Sequence, residues 1–135
     1  MEDKKQLDSG FKVNNILLME CDFKREANVT FNNPEIRQEL NVDVNLSVIE
    51  NSVFVTETAT YNQIFNEIIE VSVMIKMIGV FEKFGDSKLD LEEFGKINGA
   101  AIIFPYIREQ LTNLSSKAGL GSIFLPPANF TKNNP

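Results

Sequence analysis

The chain contains few residues that could perform catalysis. It has no histidine, so the commonest general acid or base and the commonest transition-metal ligand are both missing. Its one cysteine, Cys21, lies among the apolar residues of a β-like segment, which favours a buried structural thiol. The carboxylates Glu20, Asp22, Glu92 and Glu93 belong to separate segments, and nothing pairs two of them as a glycosidase would require. The sequence therefore predicts a protein that is not an enzyme and has no cofactor or metal.

Residues 82–93 show a partial likeness to an EF-hand calcium loop. Asp90 and Glu93 fall at its ninth and twelfth positions. However, Phe84 occupies the third position and cannot coordinate calcium, and Ser87 replaces the glycine that the loop requires. A helix that begins after an Asp90 N-cap explains these residues better.

Composition narrows the class of protein and its partners. The chain has 135 residues, of which 43% are hydrophobic, and a formal net charge of −6. This length predicts one domain, residues 11–130, between a flexible N-terminal tail 1–10 and a C-terminal tail 131–135. The negative charge disfavours nucleic acid and anionic membrane surfaces as partners. A single cysteine and an N-terminus without an apolar core predict a cytoplasmic location.

Alternating apolar residues predict four strands in the first half of the chain. Residues 11–24 are apolar mainly at odd positions, LNVDVNLSV (40–48) alternates without interruption, and VFVTETATY (53–61) is rich in β-branched residues. Residues 68–81 again have apolar residues at odd positions. We expect these strands to form an antiparallel meander.

The second half of the chain changes to a helical period. Asp90 predicts the start of a short helix, and Asn98 predicts the N-cap of a long helix that ends at Gly119. Pro105 lies within the long helical pattern and either kinks that helix or marks its start. The predicted fold class is α+β, with a four-stranded antiparallel meander followed by a short and a long helix packed on one face.

The predicted sheet has more apolar surface than one helix can cover. The first and fourth strands have apolar residues on both faces, which predicts subunit contacts or a binding surface. The residues on the nominally outer face are Ile16, Leu18, Ile68, Met74, Ile78 and Val80.

Two motifs resemble the SecB family of export chaperones. FPYIRE (104–109) and LPPANF (125–130) are similar to the signature segments of that family, and the strand segments follow in the same order. The resemblance extends over about residues 11–130. It implies an ATP-independent holdase in the cytoplasm that binds unfolded or preprotein polypeptides during protein export. It also implies a homotetramer, built as a dimer of dimers with long helices between two sheets.

The resemblance implies a set of site residues as well. Clients would lie in an apolar groove formed by the loop after the first strand, the second strand and the loop after the long helix. The matching client-binding positions are Phe31, Ile36, Leu40, Val42, Val44, Leu120, Ile123, Phe124 and Leu125. The oligomer interface would include Ile16, Leu18, Ile103, Ile107 and Leu111.

The chain departs from the family pattern where some members contact the SecA motor. Glu20 matches one acidic contact position, but Lys24 reverses the charge of a second, and Ser72 and Met74 occupy the positions on the fourth strand. A SecB-like chaperone dedicated to one client, such as an antitoxin, is therefore an alternative to an export factor. A small-molecule-binding domain or enzyme is the alternative from another class.

Overall fold

The computed structural model describes residues 10–84 and 90–121. The predicted C-terminal tail, all but Gly10 of the predicted N-terminal tail and the LPPANF segment lie outside the described residues. Four antiparallel strands precede a helix of 27 residues, which confirms the α+β prediction. The elements are β1 (Phe11–Arg25), β2 (Arg37–Ile49), β3 (Ser52–Phe65), β4 (Ile68–Lys83), α1 (Leu91–Glu93), a π-helical segment (Phe94–Gly99) and α2 (Ala100–Lys117).

The strand order differs from a simple meander. It is β1-β4-β3-β2, so only the last three strands follow one another as hairpins. Asn66 and Glu67 both have positive φ in the β3–β4 turn, as the tightest right-twisted hairpins require. The first strand pairs with β4 because residues 26–36 lead the chain past the end of the sheet to its other side. Both β1 and β2 are therefore edge strands.

The helix crosses one face of the sheet diagonally. At its start, Gly95 allows the backbone to approach β2 and β3, because a Cβ there would lie 2.9 Å from Val53 and 3.1 Å from Leu46. Further along, Ile103 packs on Gly79 in β4, where an added Cβ would come within 2.8 Å of the isoleucine. The helix thus moves away from β2 as it proceeds, and α2 packs on β4 and β3.

The predicted short and long helices are joined by the π-helical segment into one continuous helix. Asp90 caps the helix as expected, since its Oδ1 accepts a hydrogen bond from the N–H of Glu92 at 2.9 Å. Asn98, however, lies inside the π-helical segment, and the helix continues through it because Phe94 and Gly99 are buried on the sheet. Pro105 is inside α2 and does not start it. Within residues 10–84 and 90–121, no helix is long and apolar enough to cross a membrane.

Two irregularities in β1 change which side chains face the helix. The register with β4 shifts at Asn14 and again at Met19, and each extra residue reverses the faces of those that follow. Ile16 and Leu18 therefore lie opposite inward-facing residues of β4, on the helix side, and the prediction of an outer position is wrong. Leu17, which the odd-position pattern placed inside, lies on the outer face.

Candidate functional site

The inner face of β2 forms an apolar floor that the helix does not cover. Leu40, Val42 and Val44 pack against the core but are only half-buried, because α2 has moved towards β4 at this level of the sheet. Their partners on β3 are buried beside them: Tyr61, Ala59 and Glu57. This strip of side chains, with the two walls described next, is called the groove below.

The walls of the groove come from the two connections that the family resemblance singled out. In the loop 26–36, Phe31 is 56% exposed and Ile36 is half-buried. After α2, Gly119 adopts a φ of +75° and the N–H of Leu120 donates to the carbonyl of Ser115, a glycine-dependent helix ending. This ending directs Leu120 back onto the core, where it is half-buried.

A buried carboxylate anchors the loop wall to the sheet. Glu70 is the extra residue where the register between β3 and β4 shifts, and it is 8% exposed. Its two oxygens accept hydrogen bonds from the N–H of Thr30 at 2.8 Å and from the Thr30 hydroxyl at 3.0 Å. Its carbonyl accepts from the N–H of Glu26 at 2.9 Å, and Gln63 donates to the Thr30 carbonyl. Four hydrogen bonds thus hold the first part of the loop against the sheet.

The structure locates six of the nine predicted client-binding residues. Phe31, Ile36 and Leu120 lie in the walls, and Leu40, Val42 and Val44 form the floor. The remaining three lie outside the described residues: Ile123, Phe124 and Leu125.

The residues predicted for the oligomer interface divide into two groups. Leu18 is 47% exposed at the β1 edge, and Ile16 is half-buried beside it. Ile103, Ile107 and Leu111 are fully buried between α2 and the sheet of the same chain, so they have no free surface to offer a partner.

Glu57 is a polar residue of this region that the sequence analysis missed. It lies on the inner face of β3 between Val44 of β2 and Met77 of β4, and it is fully buried. Neither oxygen of its side chain has a hydrogen-bond partner. Burial raises the pKa of Glu57 to about 8, so the carboxyl is mostly protonated at neutral pH. Its position in VFVTETATY was the available signal, because it shares its parity with the buried Val55 and Ala59.

Tyr61 is the other titratable residue on the inner face of β3 with a shifted pKa. Burial raises the pKa of Tyr61, and the hydrogen bond to Gln38 lowers it by a smaller amount. Gln38 Nε2 donates to the Tyr61 hydroxyl at 2.8 Å and so joins the start of β2 to β3. The tyrosine is thereby a fixed, neutral part of the sheet next to the floor.

Cys21 is exposed, so the prediction of a buried thiol is wrong. It faces the helix side of β1, but β1 is an edge strand and α2 packs mainly on β4 and β3. The Cys21 Sγ accepts a long hydrogen bond, 3.7 Å, from Nε2 of Gln110. No cluster of acidic or cysteine side chains in the described part of the chain could hold a metal ion.

An antiparallel sheet with one covering helix and an apolar groove at its edge is the architecture expected of a SecB-like chaperone. The sequence model of the family described as preprotein translocase subunit SecB matches residues 4–133. Because this match spans almost the whole sequence, the chain belongs to the SecB family. The family comprises chaperones, which confirms the prediction of a protein that is not an enzyme.

Known proteins are similar to this chain in fold and in sequence. The fold resembles that of a SecB-like chaperone of Mycobacterium tuberculosis, solved in complex with a ChAD peptide from the HigA1 antitoxin. The TM-score is 0.72 and the identity 14%, and the match covers 87% of this chain and 90% of the other. An uncharacterized protein of Methanocaldococcus jannaschii is 30% identical over 59 residues, which is 44% of this chain and 38% of that protein.

Proposed function

We propose that this chain is an ATP-independent holdase that binds segments of unfolded polypeptide in the groove. The observation that carries this proposal is the half-exposed apolar floor, Leu40, Val42 and Val44, at the edge of the sheet. Contact of these side chains with water does not stabilise an isolated chain. An unfolded client, in contrast, can bury its own apolar side chains on them.

The edge position of β2 supports binding that tolerates many sequences. An edge strand has backbone N–H and C=O groups that no neighbouring strand satisfies, and an extended client can pair with them whatever its side chains. Apolar burial then contributes about 25 cal/mol per Å² of client surface. One groove holds a short segment weakly, and several grooves in an oligomer hold a long client more tightly through multivalency.

The β1 edge supports a homo-oligomer. Three consecutive large apolar side chains are about half exposed there: Leu17 (49%), Leu18 (47%) and Met19 (57%). We propose that two copies pair through this edge, with Ile16 and Leu18 in the contact, and that two such dimers form the tetramer implied by the family resemblance. Pairing would remove exposed apolar surface that is unfavourable in a monomer.

Aggregation of an unfolding reporter protein tests the holdase proposal. At one chain of this protein per reporter chain and without nucleotide, we expect light scattering by the reporter to be strongly suppressed, because its apolar segments are occupied. Serum albumin at the same concentration is the control for crowding. Unchanged aggregation would contradict the proposal. Light scattering of the protein alone gives its mass, for which we expect a multiple of the 15.3 kDa chain.

A second candidate is a chaperone dedicated to one client. The related fold bound to an antitoxin peptide favours it. Glu20, the proposed contact for a SecA-like motor, forms a 3.5 Å ion pair with Lys76, so part of its charge is already compensated. A general export chaperone would suppress aggregation of several unrelated reporters, whereas a dedicated one would protect few of them. The role in protein export stays a prediction that rests on the family resemblance. The cytoplasmic location stays a prediction from that resemblance, the single cysteine and the composition of the N-terminus.

A further inference from the structure

Arg25, the last residue of β1, binds backbone carbonyls on both walls of the groove. Its Nη1 donates to the carbonyl of Ala118 at the end of α2, at 2.5 Å. Its Nη2 donates to the carbonyl of Ala27 at 3.0 Å, and its Nε donates to that of Glu26 at 2.8 Å. A guanidinium is planar with its donors in a fixed fork, so these three carbonyls are held in one arrangement.

The position of Arg25 suits a permanent contact. The guanidinium stays charged at any physiological pH, and a cation at the carboxyl end of a helix is favoured by the helix dipole. Gly119 has a φ of +75°, which glycine adopts without strain, and a Cβ there would lie 3.9 Å from Arg25 Nη1, an ordinary van der Waals distance. The half-buried stem of Arg25 extends from the inner face of β1, opposite Val71 of β4.

The other polar contacts described for the walls stay within each wall or join it to the sheet. Thr30 in the loop binds Glu70, and Leu120 after the helix binds Ser115. The hydrogen bonds of Arg25 connect the loop with the end of the helix. Removing them would leave the two walls free to change their separation.

We infer that Arg25 is a positioning residue for client binding, which fixes the separation of the loop 26–36 and the exit of α2. This inference rests on the proposed holdase function. Walls that are ordered before binding need not be ordered by the client, so their preorganisation strengthens binding. Differences of this kind between related complexes are expressed mainly in the dissociation rate. Arg25 would thus set how long a client stays in the groove.

The test compares Arg25→Met with wild type, using reduced and carboxymethylated α-lactalbumin as a permanently unfolded client. Methionine keeps most of the apolar stem but no donor. We expect dissociation of the client to become about tenfold faster. We also expect faster amide exchange at Gly119 and Leu120, with exchange in β3 and β4 unchanged. Lys24→Met is the matched control, because it removes the same charge at the preceding position of β1, where Lys24 is exposed on the outer face opposite Ser72.

A second variant covers the case in which Arg25→Met does not fold. Arg25→Lys keeps the charge but replaces three donor nitrogens by one, so it cannot hold the three carbonyls in the same arrangement, and we expect intermediate dissociation and intermediate exchange. Unchanged dissociation in a folded variant would overturn the inference, and so would faster exchange throughout β3 and β4, which would indicate a general loss of stability. If wild type itself does not bind the client, the proposed function fails instead.

Discussion

Replacing Glu57 by glutamine is expected to remove a large pH dependence of folding stability. The ordinary pKa of the group is 4.5, and burial raises it to about 8 in the folded protein. Below pH 4.5 the carboxyl is protonated in both states and gives no pH dependence. Between pH 4.5 and 8 only the unfolded state releases the proton, so the free energy of unfolding falls as the pH rises. The slope is about 1.4 kcal/mol per pH unit, and the whole loss is on the order of 5 kcal/mol.

The measurement is urea unfolding of wild type and Glu57→Gln between pH 4 and pH 9. Other titrating groups are common to both proteins, so the difference between their free energies of unfolding isolates Glu57. We expect the free energy of unfolding of the variant, relative to that of wild type, to increase steadily up to pH 8. At pH 7 the variant should be more stable than wild type by about 3 kcal/mol. The stability of Glu57→Leu should exceed that of wild type by at least as much, because leucine leaves no unpaired polar atom in the core. Glu39→Gln, at an exposed position of β2, is the control.

Parallel stability curves for wild type and Glu57→Gln would contradict this prediction. They would mean that the carboxyl reaches water or a partner and has an ordinary pKa. A gain that grows with pH would establish that a carboxyl beside the groove floor is kept protonated by burial alone.

Placing a charge on the groove floor is expected to weaken client binding by at least tenfold. Val42 is half-buried and lies on the inner face of β2, where a client side chain would cover it. In Val42→Asp, that client side chain would have to remove water from a carboxylate with no partner. The dissociation constant for carboxymethylated α-lactalbumin, measured by fluorescence anisotropy, should rise at least tenfold, which is a loss of about 1.4 kcal/mol or more in binding free energy.

Asn41→Asp is the matched control for this substitution. It introduces the same charge at the next position of the same strand, but on the outer face of the sheet. Its affinity should stay within about twofold of wild type. Equal losses in both variants would indicate a simple charge effect on the acidic client and contradict a site on the inner face. Urea unfolding of both variants confirms that each remains folded under the assay conditions.

The alternation of apolar residues predicted the faces of β2 but not those of β1. In LNVDVNLSV every residue pairs with one partner on β3, so a period of two holds along the whole strand. In β1 the extra residues Asn14 and Met19 each reverse the pattern, and the residue types do not reveal them. A fixed period of two therefore could not predict the faces of Ile16 and Leu18.

Tertiary packing determined the remaining differences. Asparagine is a residue type that often caps helices, yet the helix continues through Asn98. The rings of Phe94 and Phe11 stack with their centroids 3.8 Å apart, and this contact holds the first turns of the helix on the sheet. The hydrogen bonds of Arg25 and Glu70 join residues 93 and 40 positions apart, and no local pattern predicts them. The floor of the groove was predictable because it depends on alternation within one strand. Its walls depend on these long-range polar contacts.

Amide hydrogen exchange with and without an unfolded client tests the central claim most directly. The claim is that a client pairs with β2 and covers its inner face. With saturating carboxymethylated α-lactalbumin, we expect slower exchange at amides of Arg37–Ile49 and of residues 118–121, and no change in β4, which lies inside the sheet. A client that binds but protects only other parts of the chain, such as the outer face or the β1 edge, would contradict the account.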